Sequence, residues 1–377
     1  MSLPYRAGFL RAVRGKPHEC GIGPQGYGAD MRALTVLPQQ PDSAAVVDMP
    51  DPEPGPGDLL VEGIALGVCG TDREIIAGEY GWAPPGSERL ILGHESLGRV
   101  LDPGDSDFAK GDLVAGVVRR PDPVPCPACA RGEFDFCRNG RYTERGIKEL
   151  HGYGSEQWTV EADYAVKLDA ALEPVGMLLE PTSIVAKAWD QIERIGARAY
   201  FGPERALITG AGPIGLLAAL LATQRDLEVH VLDHNRGGPK PRLVNELGAH
   251  FHYTEVDKVA KDLQPDIVIE ATGVPEVVLD VMEHNAAVGI VCLTGVSTRG
   301  RRVTVDAGGL NRDIVLENDV VFGSVNANLH HWGLAAEALA KADRSWLESL
   351  ISRRVPLEDF EQALERQDDD VKVVLDL

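Results

Sequence analysis

The chain has 377 residues, 44 % apolar and 25 % charged, an ordinary globular composition with enough chain for two domains. A formal charge of −21 argues against a nucleic-acid or anionic-membrane partner, because both select a basic face. No run of about 18 apolar residues occurs, so no membrane-spanning helix is expected. Six scattered cysteines in so long a chain do not make a disulfide scaffold.

Residues 1–30 show little periodicity and end Gly-rich. They are expected to be a disordered extension, or to follow a start assigned too early, and they lack the apolar core of a signal peptide. MRALTV, from Met31, reads as the first strand. Short β-rich runs follow at 59–66 (LLVEGIAL), 95–101, 112–118 and 158–166, with PDPEPGPGD at 50–58 as a rigid polar turn. This pattern predicts an all-β, barrel-like lobe. From 187 to 325 strands and helix-length stretches alternate (RALITG, PIGLLAALLATQ, EVHVLD, DIVIEATG, VGIVCLTG), which predicts an α/β domain with a doubly wound parallel sheet. After Asn326 a helix over 332–342 and short elements return to the first style. Residues 31–186 and 326–377 are therefore expected to form one lobe, interrupted by the α/β domain 187–325.

ALITGAGPIGLLAALLA places Gly210, Gly212 and Gly215 in G-x-G-x-x-G spacing, between a predicted strand and an apolar helix. Gly210 permits the tight turn, Gly212 lets backbone amides approach a pyrophosphate, and Gly215 lets the helix pack close to the strand. Pro213 and Ile214 complete the loop, and the helix N-terminus faces the phosphates. Asp233 ends the next strand, where an acid accepts the ribose hydroxyls and repels a 2′-phosphate, so NAD is favoured. His234, Asn235 and Arg236 follow it and keep NADP open.

Three stretches offer metal ligands: GVCGTDREI holds Cys69, LGHESLG holds His94 and Glu95, and LLEPTSIVAKA holds Glu180. A thiolate, an imidazole and carboxylates are what a catalytic zinc uses, with one position left for water or substrate. The motif order Cys69-Gly-Thr-Asp, Gly93-His94-Glu95 with Gly98, Glu180-Pro181 and Gly210-Ala-Gly-Pro-Ile-Gly215 resembles the zinc-dependent medium-chain dehydrogenase/reductase family over nearly all of residues 31–377. That resemblance implies a GroES-like catalytic lobe and a Rossmann cofactor domain, with dimers or tetramers formed through the Rossmann domains. Within the family the chain looks most like the archaeal-type glucose 1-dehydrogenases. RYTERGI (141–147), FGSVNAN (322–328) and the Arg119-Arg120 pair carry that likeness.

The resemblance implies zinc held by Cys69, His94 and Glu95, with Glu180 a ligand in some states or a water-bridged partner. It makes Thr71 the proton relay and gives Glu95 a second possible role as a base. Glu144, Glu180 and Asn326 would hold sugar hydroxyls, and Asn326 would also lie beside the nicotinamide. Glu74 stands where alcohol dehydrogenases often have a relay histidine, so the relay differs here. The implied reaction is oxidation of an aldose, D-glucose first, at C1 to the lactone. A polyol or secondary-alcohol dehydrogenase of the sorbitol, threonine or idonate type remains open, as does a non-catalytic nucleotide-binding protein on the same scaffold. The NAD(P) requirement implies a cytoplasmic protein.

The family's structural zinc lobe is spaced C-x2-C-x2-C-x7-C. Here Cys126, Cys129 and Cys137 occupy the last three places, and Pro123 occupies the first. A closed structural site takes four ligands. Asp122, one residue before the gap, is the candidate fourth ligand; an empty lobe is the alternative.

Overall fold

The computed structural model describes residues 30–297 and 300–377; the expectation for the leading extension lies outside the described residues. The centre of the first lobe is the strand Asp58–Val68, whose alternate residues Leu59, Val61 and Ala65 are fully buried while Glu62 is exposed. It pairs antiparallel with three others, Glu95–Asp102, Gln157–Glu161 and Lys372–Asp376. Leu113–Gly116, Ala165–Leu168 and Ile351–Pro356 extend this sheet to seven strands. A second sheet joins Ala45–Pro50, Asp30–Val36 and Leu90–Ile91, and a third joins Arg119–Arg120, Thr143–Arg145 and Glu149–Leu150.

The single strand predicted over 158–166 is two strands. The chain turns at Ala162–Tyr164 and changes partner, from Asp58–Val68 to Leu113–Gly116. Apolar alternation along the chain does not reveal which strand each segment pairs with.

The second sheet system has six parallel strands in the spatial order His250–His252, Glu228–Leu232, Arg205–Thr209, Ile267–Glu270, Ile290–Leu293, Val320–Gly323. This is the doubly wound order that reverses beside the first strand and opens a crevice at the carboxyl ends. After Val320–Gly323 the chain passes through Asn326 into the helix Leu329–Lys341. It then adds Ile351–Pro356 and Lys372–Asp376 to the first lobe's sheet.

The long helix Leu179–Gly196 packs against the Leu329–Lys341 helix and the apolar helix Pro213–Thr223. Its Lys187 is buried, donates to the Val325 carbonyl at 2.9 Å and lies 2.8 Å from Asp135 Oδ2. Asn328 Nδ2 donates to the other Asp135 oxygen at 2.8 Å. No helix among the described residues is long and apolar enough to cross a membrane.

Candidate active site

Cys69 directly follows the central strand and caps the helix Gly70–Ile76; His94 precedes the neighbouring strand, and Glu95 opens it. Sheet pairing sets Gly67 opposite Glu95. A Cβ on Gly67 would stand 2.0 Å from Glu95 Oε2, so glycine here is what admits the carboxylate. The result is one group: Cys69, His94 and Glu95 each bring a ligand atom within 4.8 Å of the others. Cys69 Sγ lies 3.1 Å from His94 Nε2. Two ligands on one tetrahedral zinc stand about 3.6 Å apart, given Zn–S and Zn–N bonds of about 2.3 and 2.1 Å, so the pair needs only a small spread to take the ion.

Asp72 organises this group. One of its oxygens accepts from the Cys69 backbone N–H at 2.9 Å, and the other lies 3.5 Å from His94 Nδ1. Asp72 Oδ1 and His94 Nδ1 are both buried without a hydrogen-bond partner. A metal on Nε2 leaves Nδ1 as the protonated nitrogen, aimed at that carboxylate, as metal-bound imidazoles require. Burial and the Asp72 charge push the Cys69 thiol above its ordinary pKa. Burial pulls His94 down, but Cys69 and Asp72 outweigh it and hold the imidazole well above its usual value. A coordinated zinc reverses this for the thiol, which binds as thiolate. The donor set and its orphaned atoms fit zinc.

Both Glu95 oxygens are held by Lys372 Nζ, at 2.7 and 2.6 Å. Lys372 also donates to the Val68 carbonyl at 3.2 Å. The pair is buried, and sequence reasoning missed the lysine. Glu180, in the first turn of the Leu179–Gly196 helix, stands outside the 4.8 Å group. Burial pushes it up to about 7, with Glu95 adding to the rise and His94 opposing it. Burial pushes the Tyr80 hydroxyl up to about 12, with Thr71 opposing the rise. Glu74 is exposed.

Glu144 and Asn326, 182 residues apart, meet directly: Asn326 Nδ2 donates to Glu144 Oε1 at 2.7 Å. Arg119 Nε and Nη2 donate to the same oxygen at 3.0 and 2.9 Å. Three donors converge on Oε1, and Oε2 of this buried carboxylate has no partner among the described residues. Asn326 adopts the left-handed region, φ 62°, which asparagine tolerates and which turns its amide back on Glu144. Gly146, in the turn after Glu144, lies against the backbone of Gly93, next to His94.

In the α/β lobe, Gly210 has φ 94°, and a Cβ on Gly215 would stand 1.8 Å from the Gly210 carbonyl. Gly212 caps the helix with open space where its Cβ would be, and Pro213 is the first helical residue, where its missing N–H costs nothing. Asp233 is buried. It accepts from the Ala211 N–H at 2.7 Å and the Asn235 N–H at 2.8 Å, so it braces the glycine loop. Lys240 Nζ lies 3.4 Å away, and the His234 side chain is 97 % exposed.

Cys126, Cys129 and Cys137 form a second tight group, each with a ligand atom within 4.8 Å of the others. Backbone N–H groups of Arg138, Cys129 and Ala128 pull the Cys126 thiol down to about 6, which suits a thiolate ligand. The expectation for Asp122 as fourth ligand is not met. Its carboxylate accepts from the Val124 N–H at 2.8 Å and Asn139 Nδ2 at 2.7 Å, and Arg141 stands 3.4 Å away. No His, Cys, Asp or Glu among the described residues completes the group. Cys137 is half-buried, while Cys126 and Cys129 are buried. Asp122→Asn is expected to leave the zinc count per chain unchanged, measured by elemental mass spectrometry; loss of one zinc would restore Asp122 as a ligand.

A β-barrel lobe carrying a thiol, an imidazole and a carboxylate, joined to a doubly wound nucleotide sheet, defines a medium-chain dehydrogenase. The model of the alcohol dehydrogenase GroES-like domain matches residues 55–170, and that of the glucose dehydrogenase C-terminus matches residues 173–377. The chain is 40 % identical over 357 residues to a glucose 1-dehydrogenase of Methanocella arvoryzae, covering 92 % of this chain and 99 % of the relative. It is also 40 % identical over 354 residues to the glucose 1-dehydrogenase of Thermoproteus tenax, with the same coverage. Among solved structures, Haloferax mediterranei glucose dehydrogenase in complex with NADP, Zn and gluconolactone matches with a TM-score of 0.85 at 34 % identity, over 92 % of this chain and 99 % of that one. The chain belongs to the glucose dehydrogenase family.

Proposed function

We propose that this protein is a zinc-dependent dehydrogenase that oxidises an aldose, D-glucose first, at C1 to the lactone with NAD(P) as hydride acceptor. The observation that carries the sugar reading is Glu144: its Oε1 is saturated by Arg119 and Asn326, and Oε2 is left for a hydroxyl donor. A polyol is selected by fixed polar groups that go unpaired when the wrong sugar binds. The Haloferax relative, solved with gluconolactone, NADP and Zn, supports the same product, cofactor type and metal.

Bound zinc supplies Lewis-acid polarisation of the C1 oxygen and lowers the pKa of its hydroxyl. Cys69, His94 and Glu95 hold it, Asp72 orients His94, and Lys372 fixes Glu95. Thr71 takes the C1 hydroxyl proton toward solvent. A bound nicotinamide would accept the C1 hydride with its electron pair, as the C1–O bond becomes the lactone carbonyl. Glu144 and Asn326 hold sugar hydroxyls, joined by Glu180, and Asn326 also stands at the nicotinamide. Gly210, Gly212, Pro213, Ile214 and Gly215 carry the pyrophosphate, and Asp233, with His234 and Asn235, faces the ribose. The three cysteines would hold a second, structural zinc. In this reading residues 31–186 and 326–377 are the catalytic lobe and 187–325 the cofactor lobe. The protein works in the cytoplasm as a dimer or tetramer.

Initial rates with glucose and each cofactor, before and after chelation, test this reading. Glucose oxidation that is lost on chelation and restored by zinc is expected; a panel in which sorbitol or threonine replaces glucose as substrate overturns it. Cofactor choice has its own test. The Asp233 carboxylate repels a 2′-phosphate, and Asp233→Asn keeps the acceptor for the Ala211 N–H while removing the charge. The ratio of kcat/KM for NADP over NAD is expected to rise about tenfold, the effect of ~1.4 kcal/mol of removed repulsion. An unchanged ratio in steady-state kinetics would mean that Asp233 only braces the loop.

A further inference from the structure

The cofactor crevice uses the carboxyl ends of the parallel strands, and the site already described uses the barrel. A separate cluster lies toward the amino end of the strand Glu228–Leu232. Glu228 and His230 are two residues apart on that strand, and His250 and His252 are two apart on the edge strand His250–His252. Residues two apart share a face of a sheet, and the register sets His230 beside His250. The His230 and His250 ring centroids are 4.9 Å apart, and those of His230 and His252 are 5.1 Å apart. His230 Nε2 lies 3.2 Å from Glu228 Oε1, and His230 Nδ1 lies 2.8 Å from His252 Nε2. Glu228, His230 and His250 each bring one ligand atom within 4.8 Å of the other two.

We propose that Glu228, His230 and His250 form a further metal site, for zinc or a divalent transition ion of similar taste for imidazole. Two imidazoles and a carboxylate are an open zinc donor set, with a corner left for water. Calcium and magnesium prefer all-oxygen sites and are disfavoured. His252 supplies what a ligating histidine needs at its other nitrogen. It engages His230 Nδ1, which fixes the tautomer and turns the Nε2 lone pair to the Glu228 side. His230 is buried while Glu228 and His250 are exposed, so the site has a rigid floor and an entry path. The cation that faces the cluster is Arg205, opposite Glu228 in the register, and its Nη1 donates to the Leu263 carbonyl. The chain's charge of −21 favours cation capture overall.

This site ties the edge strand to its neighbour and has no part in C1 chemistry, because the glycine loop and Asp233 lie at the other end of the strands. An ion that binds the folded state alone stabilises it by mass action. The test uses full-length protein, stripped with a chelator and re-equilibrated with zinc at a buffered free concentration. His250→Ala and Glu228→Gln are each expected to hold one zinc fewer per chain than the unaltered protein and to lose the corresponding zinc-dependent rise in Tm. Glucose kcat/KM should stay unchanged. His252→Phe should keep the site with zinc affinity reduced about 10–100-fold. Equal zinc counts in the unaltered protein and His250→Ala, or loss of glucose turnover along with the ion, would overturn the proposal.

Discussion

Lys372→Met is expected to destabilise the protein by about 3–5 kcal/mol, the cost of leaving a buried carboxylate without its counter-charge. Lys372 and Glu95 have side-chain exposures of 2 % and 3 %, and both carboxylate oxygens sit on the one ammonium. Gly67 has already given up its side chain to admit the carboxylate. A zinc ion beside Glu95 lowers the cost, so the loss is read by denaturant unfolding of chelated protein. The pair Glu95→Gln with Lys372→Met should recover most of the stability, because a neutral amide replaces the stranded charge. It should not recover turnover, since the zinc carboxylate is gone. A single Lys372→Met variant within about 1 kcal/mol of the unaltered protein would refute this account of the pair, given that surface changes alone stay near 0.5 kcal/mol.

Cys69→Ala is expected to remove the catalytic metal and turnover together. Lewis-acid stabilisation of developing charge is worth several kcal/mol, and each 1.36 kcal/mol is tenfold in rate, so kcat/KM should fall by at least about 10³-fold. The zinc count per chain should fall by one, and the three-cysteine group should keep its own content. The fold should survive. Cys69 is a helix cap, and the Asp72 carboxylate takes its backbone N–H whatever the side chain. Normal zinc content with full activity would show that the metal reading of Cys69 is mistaken.

The parts of this protein legible in the sequence are those written in local spacing. Gly210, Gly212 and Gly215 announce a strand, a turn and a helix because their spacing is local: Gly210 turns at φ 94°, and a Cβ on Gly215 would meet the Gly210 carbonyl. His94 and Glu95 are adjacent and open a strand, and their chemistry is visible in the letters. Lys372 was invisible because its partner lies 277 residues earlier, and they meet because Lys372–Asp376 and Glu95–Asp102 both pair with Asp58–Val68. Asp72 stood inside the GVCGTDREI motif without a role. The available signal was its place three residues after a helix cap, where an acid reaches back to the cap N–H. Asp122 misled because nearness along the chain says nothing about which way a side chain turns; its carboxylate faces Asn139 and the Val124 N–H. The Glu144 and Asn326 positions came from resemblance alone, and their hydrogen bond gives that likeness a physical content.

Lys187 and Lys372 are each 2 % exposed. Each ammonium is locked onto a carboxylate, at the lobe junction in one case and in the barrel in the other. Acylating reagents need a free, solvent-facing amine, so both lysines are silent while the native contacts hold. They answer when their own neighbourhood breathes. Labelling followed residue by residue thus gives two clocks inside one chain. One times the opening of the junction at Asp135 and Val325, and the other times the opening of the sheet that carries Glu95.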